Sequence, residues 1–104
     1  MIGDFEYEIL FHVMKLRGEA YSLPIAEGIE ESRGKRVSIG PVHTTLSRME
    51  KKGLLKSKLG PSLEERGGRP RRYYELTNEG LQEKLAKEKD IKRLNGLFGG
   101  SVNA

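Results

Sequence analysis

The chain has 104 residues, 36% hydrophobic and 33% charged, with no cysteine, no tryptophan and a formal net charge of +4. That length makes one domain around one modest core, and the lack of cysteine excludes disulfides, thiolate catalysis and cysteine-based zinc sites. No apolar run approaches the ~20 residues of a membrane span, and Met1-Ile2-Gly3-Asp4 lacks the basic start of a signal peptide, so a cytoplasmic protein without a membrane partner is expected.

Asp4 is placed to cap a first helix over about residues 5 to 16, where Phe5, Ile9, Val13 and Leu16 recur at helical spacing. Tyr7, Leu10, Phe11 and Met14 add apolar surface on its other sides, and a helix apolar nearly all round in so small a domain points to a subunit interface. Gly18 ends it. Ser22-Leu23-Pro24 reads as the next start, because proline fits a first turn where its missing N–H costs nothing. This second helix runs to about Ser32 with Leu23, Ile25, Ala26 and Ile29 inward, and Arg33-Gly34-Lys35-Arg36 follows as a basic loop. Ser38-Ile39-Gly40-Pro41 repeats the signal for a third helix that continues to Lys52 before Gly53. Ile39, Val42, Leu46 and Met49 form its apolar stripe, which leaves His43, Thr44, Thr45, Ser47, Arg48 and Lys51 for the outer face.

After Gly53 the period shortens. Leu54 to Leu59 alternates as a strand does, and Arg72 to Leu76 offers an aromatic partner, with Gly60-Pro61 and Gly67-Gly68 marking a long hairpin loop between them. Tyr73 and Tyr74 must then point to opposite faces. Thr77 caps a last helix carrying Leu81, Leu85, Ile91 and Leu94 to about Asn95, and the glycines beyond it predict a frayed tail. The expected division is a DNA-binding domain over 1–77, a dimerisation helix over 78–95 and a flexible tail over 96–104.

From Arg33 to Arg72 there are twelve Lys or Arg against Glu50, Glu64 and Glu65, a surplus of nine positive charges in a chain whose remainder is net acidic. Such a block predicts a surface that faces a polyanion. The element order is that of a winged helix-turn-helix: an α+β fold, mainly α, of three helices, a two-stranded wing and a C-terminal dimerisation helix. In that architecture the third helix enters the major groove and phosphate contacts fix it there. His, Thr, Ser and Arg side chains can all bond base edges. Glycines 67 and 68 let the hairpin approach a phosphate closely, while Arg69, Arg71 and Arg72 supply planar donors for it. Lys35 and Arg36 add cations beside the third helix, and Ser38 stands at its start.

An enzyme is not expected. Ser22, Ser38 and Thr77 are better explained as caps than as nucleophiles, and Glu30 and Glu31 diverge by ~100° on a helix, so they form no facing acid–base pair. His12 and His43 are the only histidines, 31 positions apart, so no metal site and no cofactor is expected. His12 in its apolar helix reads as a packing residue. A protein-interaction module that docks on an acidic partner without DNA is the alternative reading. RNA binding is disfavoured by the lack of a GxxG loop and of an RNP-like aromatic pair.

The stretches FEYEILFHVMKLRGEAYSLPIAEGIEE (Phe5 to Glu31), SIGPVHTTLSRMEKKGLLKSKLG (Ser38 to Gly60) and ERGGRPRRYYELTNEG (Glu65 to Gly80) together resemble the PadR-type transcriptional regulators, over about residues 5 to 82. The resemblance implies a homodimeric repressor on a near-palindromic stretch of double-stranded DNA, with His43, Thr44, Thr45 and Arg48 facing the duplex and Arg69, Arg71 and Arg72 as wing contacts. The family more often carries tyrosine where His43 stands. Many relatives extend the last helix for dimerisation and for a small-molecule effector, whereas this chain looks like the short form, in which helix four packs on the partner's first helix. That implication assigns Phe5, Ile9, Phe11, Leu81, Leu85, Ile91 and Leu94 to the dimer interface.

Overall fold

The computed structural model describes residues 1–61 and 70–103. Its elements are α1 (Asp4–Lys15), α2 (Ser22–Arg33), α3 (Ile39–Lys51), β1 (Leu55–Leu59), β2 (Arg72–Leu76) and α4 (Asn78–Asn103). The fold is mainly helical α+β, with one antiparallel pair in which Leu55 faces Leu76, Ser57 faces Tyr74 and Leu59 faces Arg72. Residues 62–69, with the expected turn at Gly67-Gly68, lie outside the described residues.

Local chemistry sets most boundaries. Gly34 closes α2 in the left-handed conformation at φ 70°, and its N–H donates to the Glu30 carbonyl at 2.8 Å. Thr77 caps α4 as its sequence position predicts: its Oγ1 accepts from the Gly80 N–H at 3.0 Å and donates to the Gly53 carbonyl at 2.5 Å. Two expected caps shift by one residue. Gly3, not Asp4, precedes α1, with its N–H donating back to Glu6 Oε1 at 3.1 Å. Tyr21, not Ser22, precedes α2, and its side chain makes no capping bond.

The core gathers the inward stripes of three helices under the sheet. Ile9, Leu10, Ile25, Ile29, Val42, Leu46, Met49 and Leu55 are fully buried, each stabilising the fold by about 1.5–3 kcal/mol of apolar burial. Ile9 is therefore a core residue of this chain and is withdrawn from the expected dimer contacts. Its place at the centre of the α1 stripe, one turn from Phe5 and from Val13, turns it inward. Phe5 is half-buried against the same core, with the Arg33 guanidinium 5.4 Å from its ring centroid. Leu23 goes the other way: expected inward, it is 49% exposed. His12 is buried and shares a hydrogen bond with Ser32 Oγ at 3.2 Å.

The first half of α4 is tied to α1. The Tyr7 hydroxyl donates to Glu88 Oε2 at 2.8 Å, Lys84 Nζ donates to the same oxygen at 2.7 Å, and Lys87 pairs with Asp4 at 3.0 Å. Farther along, Leu94 and Leu97 are 40% and 63% exposed. Helical backbone continues through Gly96, Gly99 and Gly100 to Asn103, past the stop expected near Asn95. A glycine in a helix costs about 1 kcal/mol relative to alanine, which weakens a helix without forbidding it.

Candidate nucleic-acid interface

Helix α3 divides its side chains cleanly. Val42, Leu46 and Met49 are sealed in the core, while Gly40, His43, Thr44, Ser47, Arg48 and Lys51 are exposed on the opposite side. Thr45 falls on the wrong side for a base contact: at 4% exposure it belongs to the buried stripe. Three residues after Val42 and four before Met49, it shares their face of the helix, and its burial removes it from the candidate contacts. Ile39, expected to begin the stripe, is 42% exposed at the helix start.

The N-terminus of α3 is open to an anion. Ser38 precedes the helix and makes no side-chain capping bond, and no acidic residue occupies the first turn. The unpaired N–H groups and the positive end of the helix dipole are favourable for a phosphate there. The loop leading in is fixed by the Val37 N–H, which donates to Glu30 Oε1 at 2.9 Å, and it presents Lys35 and Arg36 exposed.

The wing is braced on three sides. The Tyr74 N–H donates to the Ala20 carbonyl at 2.8 Å, joining the α1–α2 connection to the free edge of β2. The Gly60 N–H donates to the Arg71 carbonyl at 2.7 Å and extends the ladder toward the tip. A side chain at Gly60 would strike the Tyr73 ring, since an added Cβ would sit 2.6 Å from its Cε2. Tyr73 also meets Tyr21 edge to face at 5.6 Å, and the Arg71 guanidinium lies 4.3 Å from the Tyr21 ring centroid. Stacking holds that planar cation in place while leaving its N–H edges for an anion. Arg72 is exposed but engaged: it donates to Ser57 Oγ at 3.0 Å, and Ser57 donates to Glu50 Oε2 of α3 at 2.7 Å. Arg69 lies outside the described residues.

A cleft between α3 and the wing brings these parts together, lined by Tyr21, Ser22, His43, Leu59, Pro70, Arg71, Arg72 and Tyr74. His43 of the helix and Arg71 of the arm thus border one concave surface.

The structure also reduces the cationic block. Arg33 is held by Glu8 through bonds of 3.0 and 2.6 Å, Lys56 pairs with Glu75 at 3.4 Å, and Lys52 pairs with Glu6 at 3.1 Å. Arg48 Nη2 lies 3.8 Å from the same Glu6 oxygen. Burial works to raise the Glu6 carboxyl, yet the Gly3 N–H together with Lys52 and Arg48 outweighs it and holds the group below its ordinary range. Sequence reasoning missed Glu6, because its cationic partners Arg48 and Lys52 stand more than forty positions away. Among the described residues no group of three or more His, Cys, Asp or Glu side chains converges as a metal site, and no helix is long and apolar enough to cross a membrane.

Comparison with known proteins places this geometry. The model of the transcriptional regulator PadR-like family matches residues 9–87. A PadR-like transcription factor from Bacteroides fragilis is 30% identical, with a TM-score of 0.72 over 92% of this chain and 87% of that one. A PadR family transcription regulator from Clostridium difficile is also 30% identical, with a TM-score of 0.71 over 92% of this chain and 98% of that one. A PadR-like transcriptional regulator from Bacillus cereus is 25% identical, with a TM-score of 0.66 over 95% of this chain and 87% of that one. No match was found among curated proteins.

Proposed function

The chain belongs to the PadR-like family of transcriptional regulators, a family of DNA-binding regulators and not of enzymes, and from that premise we propose that it is a dimeric, sequence-specific repressor acting on a near-palindromic operator in the cytoplasm. The observation that carries this reading is that His43, on the outer side of α3, and the stacked Arg71 border one cleft. In the proposed complex His43, Thr44, Ser47 and Arg48 face the major groove, Ser38 and the open N-terminus of α3 take a phosphate, and Lys35, Arg36, Arg69, Arg71 and Arg72 grip the flanking backbone.

Dimerisation supplies the second half-site, about 34–36 Å or one helical turn away. The exposed apolar side chains Phe11 and Leu85, with Leu94 and Leu97 farther along α4, support an interface between the first and last helices of two subunits, to which the half-buried Leu81 and Ile91 contribute. Selection from a pool of randomised duplexes tests the proposal. The expected outcome is enrichment of an inverted repeat with half-site centres one turn apart. Failure to enrich any duplex, together with capture of one acidic protein, would favour the protein-interaction module instead.

A further inference from the structure

Glu6 stands out because it places a negative charge inside the surface assigned to DNA. It lies in the first turn of α1, its side chain is only 13% exposed, and both of its oxygens are engaged. Oε1 accepts from the Gly3 N–H at 3.1 Å, and Oε2 accepts from Lys52 Nζ at 3.1 Å while lying 3.8 Å from Arg48 Nη2. Bonds at both oxygens thus keep the carboxylate beside the two cations. Arg48 and Lys52, each about half exposed, sit at the C-terminal end of the recognition helix, where a cation would otherwise reach any phosphate that came near.

We propose that Glu6 is a specificity-determining residue, which offsets one of the two positive charges of Arg48 and Lys52 toward phosphates and thereby weakens sequence-independent binding while leaving base contacts intact. The inference rests on the DNA-binding reading above. Phosphate contacts raise affinity for every duplex alike, so weakening them widens the ratio between a chosen sequence and a random one. The base-facing groups His43, Thr44 and Ser47 lie outside the Glu6 cluster, so that ratio is gained without loss of readout.

Glu6→Gln is the informative variant. Glutamine keeps the size and the oxygen that accepts from Gly3, so the helix start is preserved and only the charge is lost. Binding of wild type and variant is measured by fluorescence anisotropy across a salt series, on the duplex enriched by the wild-type protein and on a random-sequence duplex of equal length. The variant is expected to bind the random duplex about two- to five-fold more tightly, the scale of releasing a partly exposed ion pair. Its log–log salt slope should steepen by about one unit, for the one positive charge that the substitution leaves unbalanced. The enriched duplex should gain less, so the specificity ratio falls. Equal gains on both duplexes, or no change on either, would overturn the proposal.

Lys52→Gln supplies a second arm that does not depend on the Glu6 variant alone. In the wild-type background it should alter the slope by less than about half a unit, and in the Glu6→Gln background by about one. Equal changes in the two backgrounds would overturn the proposal. If wild type itself prefers no duplex, the DNA-binding reading fails first and takes this inference with it. If wild type discriminates and the variants behave as wild type does, only the inference fails.

Discussion

Replacing Gly80 with alanine should destabilise the fold far more than its size suggests. Gly80 lies in the first turn of α4, buried against the start of the wing, and an added Cβ would land on the Leu54 carbonyl oxygen, with the Leu54 carbonyl carbon at 3.0 Å and its Cα at 3.4 Å. Those atoms are backbone, so no side-chain rotation relieves the overlap and α4 must move away from Leu54. Overpacking of this kind costs about 1–3 kcal/mol, and a rigid obstacle puts Gly80→Ala near the top of that range. The movement also strains the bond from the Thr77 N–H to the Leu54 carbonyl at 3.2 Å, worth about 1 kcal/mol if lost. Alanine recovers up to about 1 kcal/mol of helix propensity. A net loss of about 3 kcal/mol remains, which for a domain of this size lowers Tm by roughly 12–24 °C. Circular dichroism during heating and during urea unfolding measures it. An alanine variant as stable as wild type, or more stable as propensity alone would make it, would refute the close approach of α4 to the wing.

Arg71→Ala should make the salt dependence of operator binding shallower by about one unit, because one phosphate contact is lost whatever the sequence, as a salt titration would record. Thr44→Ala should relax base preference at one position, whereas Thr45→Ala, whose side chain is only 4% exposed, should cost about 1 kcal/mol of stability and leave preference unchanged; repeated duplex selection and urea unfolding separate the two. Burial pushes the His12 imidazole below its ordinary 6.5, with Lys15 adding to the effect and Glu8 and Glu31 opposing it. Its neutral form is thus favoured by folding, so the contribution is present above pH ~6.5 and is lost as pH falls through the folded value. His12→Gln should flatten the fall of stability below about pH 6.5. Leu85→Glu and Leu97→Glu, at positions 47% and 63% exposed, should convert a dimer to a monomer at micromolar concentration by light scattering while leaving the helical content of each subunit in place.

The elements were legible where local chemistry and periodicity agree. Ser38, Thr77 and the stops at Gly34 and Gly53 locate three helices, and the β2 limits of Arg72 and Leu76 match the structure. What escaped the sequence depends on three-dimensional neighbours. Thr45 is the exception: its spacing from Val42 and Met49 already turns it inward, and only its polarity set it among the outer residues. Ile9 looks available for a partner until its full burial in the core is seen. The length of α4 was hidden by glycines that read as a stop. Charge counting located the cationic block but could not show that Glu6, Glu8 and Glu75 neutralise several of its members across the fold. The wing's role was visible in its composition, whereas the stacking of Arg71 on Tyr21 joins residues fifty positions apart.

The central claim is that the face shared by α3 and the wing binds duplex DNA by sequence. Anisotropy of the wild-type protein on its enriched duplex and on a random duplex, between about 50 and 200 mM salt, addresses it most directly. The predicted result is a preference of about a thousand-fold or more for the enriched duplex, with affinity for both falling linearly on a log–log plot. Equal affinity for the two duplexes with no dependence on salt would contradict it.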